Sequence, residues 1–154
     1  MGKSELNIML IDDNEMFRKF LRKLLEVSLK TSVIEAENPK DAISYLENSD
    51  VDLIFLDMQM PVMDGLMALK LIRANTRFKE TPVIACSALS APKLLLELGK
   101  LGISDFIVKP SSPGIIIQKV KKIIVEQYSD EFLNPIPHNF EDIEVTEEQH
   151  IGKF

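Results

Sequence analysis

The amino-acid sequence predicts an α/β fold built on a parallel sheet. Five short apolar runs alternate with longer segments in which apolar residues recur at helical spacing, a pattern typical of βα units. The central runs are almost entirely apolar and do not alternate with polar residues. Strands that are covered by helices on both faces have this composition. We therefore expect five strands and five helices in alternation.

The five predicted strands are four to six residues long, and each is followed by polar or turn-forming residues. This length is typical of strands in α/β proteins. The predicted strands are Leu6–Ile11, Ser32–Ala36, Asp52–Leu56, Pro82–Cys86 and Asp105–Val108.

The five predicted helices are amphipathic, and several begin at a recognisable cap. Asn38-Pro39 starts the second helix, Asp64-Gly65 precedes the third, and Gly102 ends the fourth, which follows Ser90-Ala91-Pro92. The fifth helix is predicted over Pro113–Tyr128. Arg18, Lys19, Arg22 and Lys23 fall on the outer side of the first helix. The residues predicted to face inward are, helix by helix, Phe17, Phe20, Leu21, Leu24 and Ser28; Ala42, Ile43 and Leu46; Leu66, Leu69 and Ile72; Leu94, Leu95, Leu98 and Leu101; and Ile116, Val120, Ile123 and Ile124.

Charge and composition exclude several classes of function. The chain has 154 residues and a formal net charge of −6, and the 26 residues after Tyr128 contain seven acidic and one basic side chain. A charge-balanced body with an acidic tail does not provide the basic face that binding to DNA or RNA phosphates requires. Cys86 is the single cysteine, and both histidines lie in the tail, so neither disulfides nor Cys/His metal clusters are expected. With no signal peptide or membrane span, these features predict a cytoplasmic protein that does not bind membranes.

The sequence divides into a body, residues 1–128, and an acidic, proline-containing tail, residues 129–154. Asn134-Pro135-Ile136-Pro137 breaks regular structure, and acidic residues predominate after it. We expect the tail to be extended. It is interpreted as a solubilising tail or a linker stub. The alternative is a partner-docking segment anchored by Phe132, Phe140, Ile143 and Val145. A third interpretation is that the chain is a fragment of a longer protein.

Polar side chains follow four of the predicted strands at their carboxyl ends. The residues are Asp12-Asp13 after the first strand, Asp57 after the third, Ser87-Ala88 after the fourth and Lys109-Pro110 after the fifth. Ligands of open parallel sheets bind at this edge. Three carboxylates held together require protonation or a cation, and a site made only of oxygen ligands favours Mg²⁺, or Mn²⁺ in vitro.

This combination is suited to phosphoryl transfer. Asp57 is the candidate nucleophile and would form an acyl phosphate. Lys109 would neutralise the oxygens of the transferred group, and Ser87 would donate a hydrogen bond to one of them. Ala88 is small enough to leave space for a phosphoryl donor.

In this order and at this spacing, the residues resemble the receiver domain of two-component response regulators, in particular the chemotaxis regulators. The similarity rests on Asp12-Asp13, on Asp57 within Leu56-Asp57-Met58-Gln59-Met60-Pro61, on Ser87-Ala88 and on Lys109-Pro110. It implies a five-stranded, doubly wound, flavodoxin-like sheet of strand order 2-1-3-4-5. It also implies a signalling phosphoacceptor and not an enzyme with an external substrate, since the chain would catalyse only its own phosphorylation and dephosphorylation.

The resemblance assigns a role to each residue. It makes Asp13, Asp57 and the backbone carbonyl of Gln59 direct Mg²⁺ ligands, and Asp12 a ligand mainly through water. It places Lys109 on the phosphoryl group, with a cis bond to Pro110, and makes Ser87 and Phe106 the switch residues. The further neighbours of the phosphoryl pocket are Met58, Ala88, Leu89 and Pro110.

The resemblance also implies the partners. A sensor histidine kinase or a histidine phosphotransfer protein would supply the phosphoryl group. A downstream protein, or a second copy of the chain, would bind the face formed by helix four, strand five and helix five. Two other functions use similar residues: a phosphorylation-independent adaptor, and a phosphohydrolase of the haloacid dehalogenase type. The hydrolase is disfavoured for two reasons. Such hydrolases have a second aspartate two residues after the nucleophile, where this chain has Gln59. They also carry the acidic pair after the nucleophile, whereas here Asp12-Asp13 precedes Asp57.

Overall fold

The computed structural model describes residues 2–61, 63–88 and 90–135. Its five strands form one sheet of order β2-β1-β3-β4-β5 in which every neighbouring pair is parallel. The predicted fold class and strand order are therefore confirmed. The strands are β1 (Leu6–Ile11), β2 (Thr31–Ala36), β3 (Leu53–Asp57), β4 (Val83–Ser87) and β5 (Asp105–Val108).

The strands β3 and β4 lie one residue later in the chain than predicted. Asp57 pairs with Cys86, and Ser87 pairs with Val108, so both polar residues are the last members of their strands. Asp57 and Ser87 were predicted to lie in the loops after β3 and β4. Pairing within the sheet instead fixes the backbone of both residues.

Five helices alternate with the strands, and side chains at their N-termini fix where four of them begin. Asn14, Asn38, Asp64 and Ser112 each accept a hydrogen bond from a backbone N–H in the first turn. The helices are α1 (Glu15–Ser28), α2 (Pro39–Asn48), α3 (Gly65–Ala74), α4 (Pro92–Lys100) and α5 (Pro113–Gln127), with short 3₁₀ turns at Thr76–Phe78 and Asp130–Phe132.

The core lies in two layers, one on each face of the sheet. Residues of α1 and α5 pack with one set of strand side chains, and residues of α2, α3 and α4 pack with the other. Because both faces of β1, β3 and β4 are covered, nearly every residue of these strands is buried. This two-sided cover explains the almost continuous apolar runs in the sequence.

Helix α4 corrects one prediction. Of its residues, Leu98 is the one that is buried, whereas Leu95 is 37% exposed and Leu96 is 62% exposed. Leu94 and, just after the helix, Leu101 are only partly buried against the core. Phe106 of the edge strand β5 belongs to the same apolar cluster as Leu98 and is itself only half-buried, so the core is thin at this end of the sheet. In α2 and α3 the predicted inward residues Ile43 and Leu66 are likewise half-buried.

Residues shortly after Tyr128 pack against the body of the chain. Phe132 and Leu133 pack against the α1/α5 layer, and Leu133 forms an antiparallel bridge with Leu29. The N–H of Lys30 donates to the Phe132 carbonyl at 2.8 Å. Residues 136–154, which carry most of the acidic tail, lie outside the described residues. Within the part of the chain that is described, no helix is long and apolar enough to cross a membrane.

Arg73 links the end of α3 to the loops that precede β4 and β5. Its guanidinium donates to the carbonyl oxygens of Phe78 and Thr81 at 2.8 Å and of Leu101 at 2.9 Å. One half-buried cation thus satisfies carbonyls in two connections, which holds both loops against the same helix.

Candidate functional site

Four strand ends bring the predicted polar residues together at the carboxyl edge of the sheet. Because β1 and β3 are neighbours, Asp12 and Asp13 lie beside Asp57, and a carboxylate oxygen of each lies within 4.8 Å of the other two. Asp12 and Asp57 are buried, with 4% and 5% of their surface exposed, whereas Asp13 is exposed. The predicted juxtaposition of the three carboxylates is confirmed.

Lys109 lies between the two buried carboxylates. Its Nζ is 2.7 Å from Asp12 Oδ2 and 3.8 Å from Asp57 Oδ1, so it is bound to Asp12 and only close to Asp57. The expected cis bond joins Lys109 to Pro110. The backbone N–H of Lys109 donates to the Ser87 carbonyl at 2.8 Å, which ties the ends of β4 and β5 together.

The electrostatics of the site show a shortage of positive charge. Burial, followed by the negative charge of Asp12, raises the pKa of Asp57 from 3.8 to about 7, although Lys109 and the Gln59 N–H act in the opposite direction. Burial alone would lower the pKa of Lys109, but the charges of Asp12 and Asp57 outweigh it and the net change is upward. One ammonium therefore faces three carboxylates, and a further cation would be attracted to them.

Backbone N–H groups fix the orientation of the two buried carboxylates. The N–H of Asn14 donates to Asp12 Oδ1 at 2.8 Å, and the N–H of Gln59 donates to Asp57 Oδ1 at 3.1 Å. The side chain of Gln59 crosses the site, where its Oε1 accepts a hydrogen bond from the Ala88 N–H at 3.3 Å. These short-range bonds set the side-chain positions before any ligand binds.

Gly65, the first residue of α3, is part of the site. The sequence alone identifies it only as the start of a helix. A Cβ atom built on it would approach the Asp57 carbonyl oxygen, the Met58 Cα and the Met58 Sδ to less than 3.0 Å. Only glycine lets α3 come this close to the turn that carries Asp57. The Asp64-Gly65 pair was the available signal, but the close contact depends on the tertiary structure.

The first turn of α1 supplies two more residues that the sequence reasoning placed elsewhere. Arg18, predicted on the solvent side, has only 12% of its side chain exposed; its Nη1 donates to the Asp12 carbonyl at 2.7 Å and its Nε to Glu35 at 3.1 Å. Phe17, predicted as a core residue, is buried, and its ring lies under the Lys109 ammonium.

The remaining predicted residues surround this centre. Ser87 is completely buried, Met58 is 6% exposed, and Ala88 and Pro110 are exposed at the rim. Phe106 is half-buried and packs against the layer formed by α2, α3 and α4. Leu89 lies outside the described residues.

Residues 8–121 match the family model of the response regulator receiver domain. The chain belongs to this family. The receiver domain is 29% identical over 120 residues to the chemotaxis protein CheY1 of Helicobacter pylori. This match covers 77% of this chain and 97% of the relative. It is 33% identical over 120 residues to the CAI-1 autoinducer sensor kinase/phosphatase CqsS of Vibrio cholerae, but the match spans only 17% of that protein.

Solved structures agree with the fold of the receiver domain. Vibrio cholerae CheY4 superposes with a TM-score of 0.73 at 22% identity, covering 78% of this chain and 99% of the other. A response regulator from Thermotoga maritima gives a TM-score of 0.68 at 28% identity, covering 79% and 98%. The suspected resemblance to chemotaxis-type receivers is thereby confirmed.

Membership assigns a general role. Receiver domains are signalling phosphoacceptors, not enzymes in the usual sense, and they interact with sensor kinases and with downstream proteins. The family binds Mg²⁺ in an acidic pocket, and the donor set of this receiver domain fits that ion: the clustered carboxylates offer only oxygen, and their charge exceeds that of Lys109.

Proposed function

We propose that this receiver domain accepts a phosphoryl group on Asp57, in a Mg²⁺-dependent reaction, from a sensor histidine kinase or a histidine phosphotransfer protein. The observation that supports the proposal most directly is the placement of Asp57. It is a buried carboxylate within 4.8 Å of two others and 3.8 Å from an ammonium, at the open edge of the sheet.

In the proposed transfer, a carboxylate oxygen of Asp57 forms a bond to phosphorus while the bond between phosphorus and the donor's imidazole nitrogen breaks. The electron pair stays on that nitrogen, which takes up a proton from solvent. Lys109 moves from Asp12 toward the oxygens of the phosphoryl group and neutralises part of their charge. Ser87 donates its hydroxyl to one of these oxygens, and the exposed Ala88 leaves the approach to Asp57 open.

The residues that would hold the ion are Asp12, Asp13, Asp57 and the backbone carbonyl of Gln59. When bound, Mg²⁺ neutralises the carboxylates and the charge that develops on the transferring group. The chain contributes the preset orientation of the carboxylates, since Asn14 and Gln59 already donate to Asp12 and Asp57. The hydrogen bond from Arg18 to the Asp12 carbonyl holds the end of β1 in place.

The output of the reaction is a changed surface. Ser87 and Phe106 are proposed to shift when Asp57 is phosphorylated, which would alter the face formed by α4, β5 and α5. That face already exposes apolar side chains, among them Leu96 at 62%, Val108 at 45% and Ile115 at 48%. A downstream protein or a second copy of the chain would bind there.

The test is intact-mass spectrometry after treatment with acetyl phosphate, with Mg²⁺ and with a chelator. One phosphoryl adduct is expected on the native chain with Mg²⁺, and none with chelator or on the Asp57→Asn variant. Asp50→Asn is the control, because Asp50 is exposed at the opposite edge of the sheet and should leave the adduct intact. The absence of an adduct, together with no Mg²⁺-dependent binding of beryllofluoride, would favour the phosphorylation-independent adaptor.

The output face is tested separately with beryllofluoride as a mimic of the phosphoryl group. Amide chemical shifts in α4, β5 and α5 should change on binding, and Phe106→Ala should reduce these changes without abolishing beryllofluoride binding. Changes confined to the loops around Asp57 would contradict the switching mechanism but leave the phosphoacceptor role in place.

A further inference from the structure

The aromatic ring of Phe17 lies against the ammonium group of Lys109. The Nζ atom is 4.1 Å from the ring centroid, within the range of a strong cation–π contact. Phe17 is 5% exposed, and the Lys109 side chain is 15% exposed, so little water separates or screens the pair. The contact belongs to the site and not only to the core.

The position of the ring is set by the same residue that orients Asp12. The Asn14 side chain accepts a hydrogen bond from the Phe17 N–H at 2.9 Å, which fixes the first turn of α1. The backbone N–H of Asn14 donates to Asp12 Oδ1. The ring and the carboxylate that both contact Lys109 are therefore held in one rigid turn.

Three partners define the location of the ammonium. It is 2.7 Å from Asp12, 3.8 Å from Asp57 and 4.1 Å from the centre of the Phe17 ring. Asp12 alone would leave the end of the flexible lysine side chain free to rotate toward solvent. The negative face of the ring attracts the cation from the protein side and limits that movement.

We propose that Phe17 is a positioning residue for Lys109, which keeps the ammonium between Asp12 and Asp57 so that it meets an incoming phosphoryl group with little rearrangement. This inference rests on the proposed function for its effect on phosphorylation. Phe17 itself touches neither the phosphoryl donor nor the phosphoacceptor carboxylate in this mechanism; it acts through Lys109.

Stepwise fluorination of the Phe17 ring in the full chain tests the proposal. Fluorine depletes the negative face of the ring while changing its size little, so packing is nearly preserved. From monofluoro- to trifluorophenylalanine, we expect the acetyl phosphate reaction rate at fixed Mg²⁺ to fall progressively, by roughly threefold to thirtyfold in total. The folding equilibrium constant should fall along the same series.

Two controls separate positioning from packing. Phe20 is also buried on α1, with its ring centroid 6.2 Å from that of Phe17, and its fluorination should leave the phosphorylation rate unchanged. In a Lys109→Met background, which has no cation, fluorination of Phe17 should no longer change the folding equilibrium. The lysine ε-methylene protons should also show an upfield ring-current shift in the native chain.

The outcomes are distinguishable. A flat rate series at Phe17, or an equal loss of folding in the native and Lys109→Met backgrounds, would overturn the proposal. If the unmodified chain takes no phosphoryl group at all, the proposed function fails. The folding series and the ring-current shift would still decide whether Phe17 binds the Lys109 cation.

Discussion

Replacing Asp57 by Asn should stabilise the metal-free protein, and the gain should grow with pH. The folded protein holds a proton on Asp57 up to about pH 7, whereas the unfolded chain releases it near pH 3.8. Unfolding therefore releases a proton between these values, and rising pH favours unfolding. The stability contributed by the neutral carboxyl is complete below the lower value and is lost as pH rises through the higher one.

The magnitude follows from the two pKa values. Each pH unit in this interval changes the free energy of unfolding by about 1.4 kcal/mol, which gives an upper bound of about 4 kcal/mol. Because the site opens to solvent at its rim, we expect the advantage of Asp57→Asn to widen by about 2 kcal/mol from about pH 5 to pH 7.5 and then to level off.

Urea unfolding followed by circular dichroism in the presence of chelator measures this effect, and the midpoint difference should grow by about 1 M urea. The Glu47→Gln variant, which removes an exposed carboxylate on α2, should show no such trend. With Mg²⁺ the native chain should regain stability at high pH, whereas Asp57→Asn should gain less. A stability difference that is constant with pH, or that widens toward acid, would refute the assignment of Asp57 as a carboxylate destabilised by its site.

Three further predictions concern the stability of the fold. Gly65→Ala should destabilise the fold by about 1–3 kcal/mol in urea unfolding, because the added Cβ would collide with the backbone of Asp57 and Met58. Gly99→Ala in α4 is the control: its added Cβ would have no atom within 4 Å, and the substitution should stabilise the fold by up to about 1 kcal/mol. Arg73→Met should cost about 2–3 kcal/mol in the same assay, because three partly buried carbonyls lose a charged donor; a loss below about 0.5 kcal/mol would contradict this structural role. Tyr128→Phe should lower the thermal midpoint by a few degrees, through about 1 kcal/mol, since its hydroxyl donates to the Asp52 carbonyl at 2.6 Å; an unchanged midpoint would show that this bond contributes nothing.

The elements of the fold were predictable because each strand carries its own signal. One apolar run ends in Asp12-Asp13 and another ends in Asp57. Each of these acidic ends predicts the carboxyl edge of the sheet. Parallel pairing then requires those ends to meet, as they do. Local patterns of this kind do not depend on knowing the neighbouring element.

The parts that escaped prediction depend on contacts between elements. The position of Lys109 after β5 decides that the core residue Phe17 also contacts a cation. The approach of α3 to β3 decides that Gly65 must lack a side chain. Helix α4 shows helical periodicity in the sequence, but of the leucines predicted to face inward Leu98 is the one that is buried. Helical periodicity gives the direction of a face, not the area that is available to cover it.

The bridge between Leu133 and Leu29 holds the segment after α5 beside the start of β2. At that point Asn134 donates its N–H to the Ser28 carbonyl at 2.9 Å, at the C-terminal end of α1 and before the first residue of β2. This contact lies at the start of the edge strand β2, at the edge of the sheet opposite to Asp57. A handle that replaces residues 129–134 would therefore remove this bridge and the hydrogen bonds that flank it.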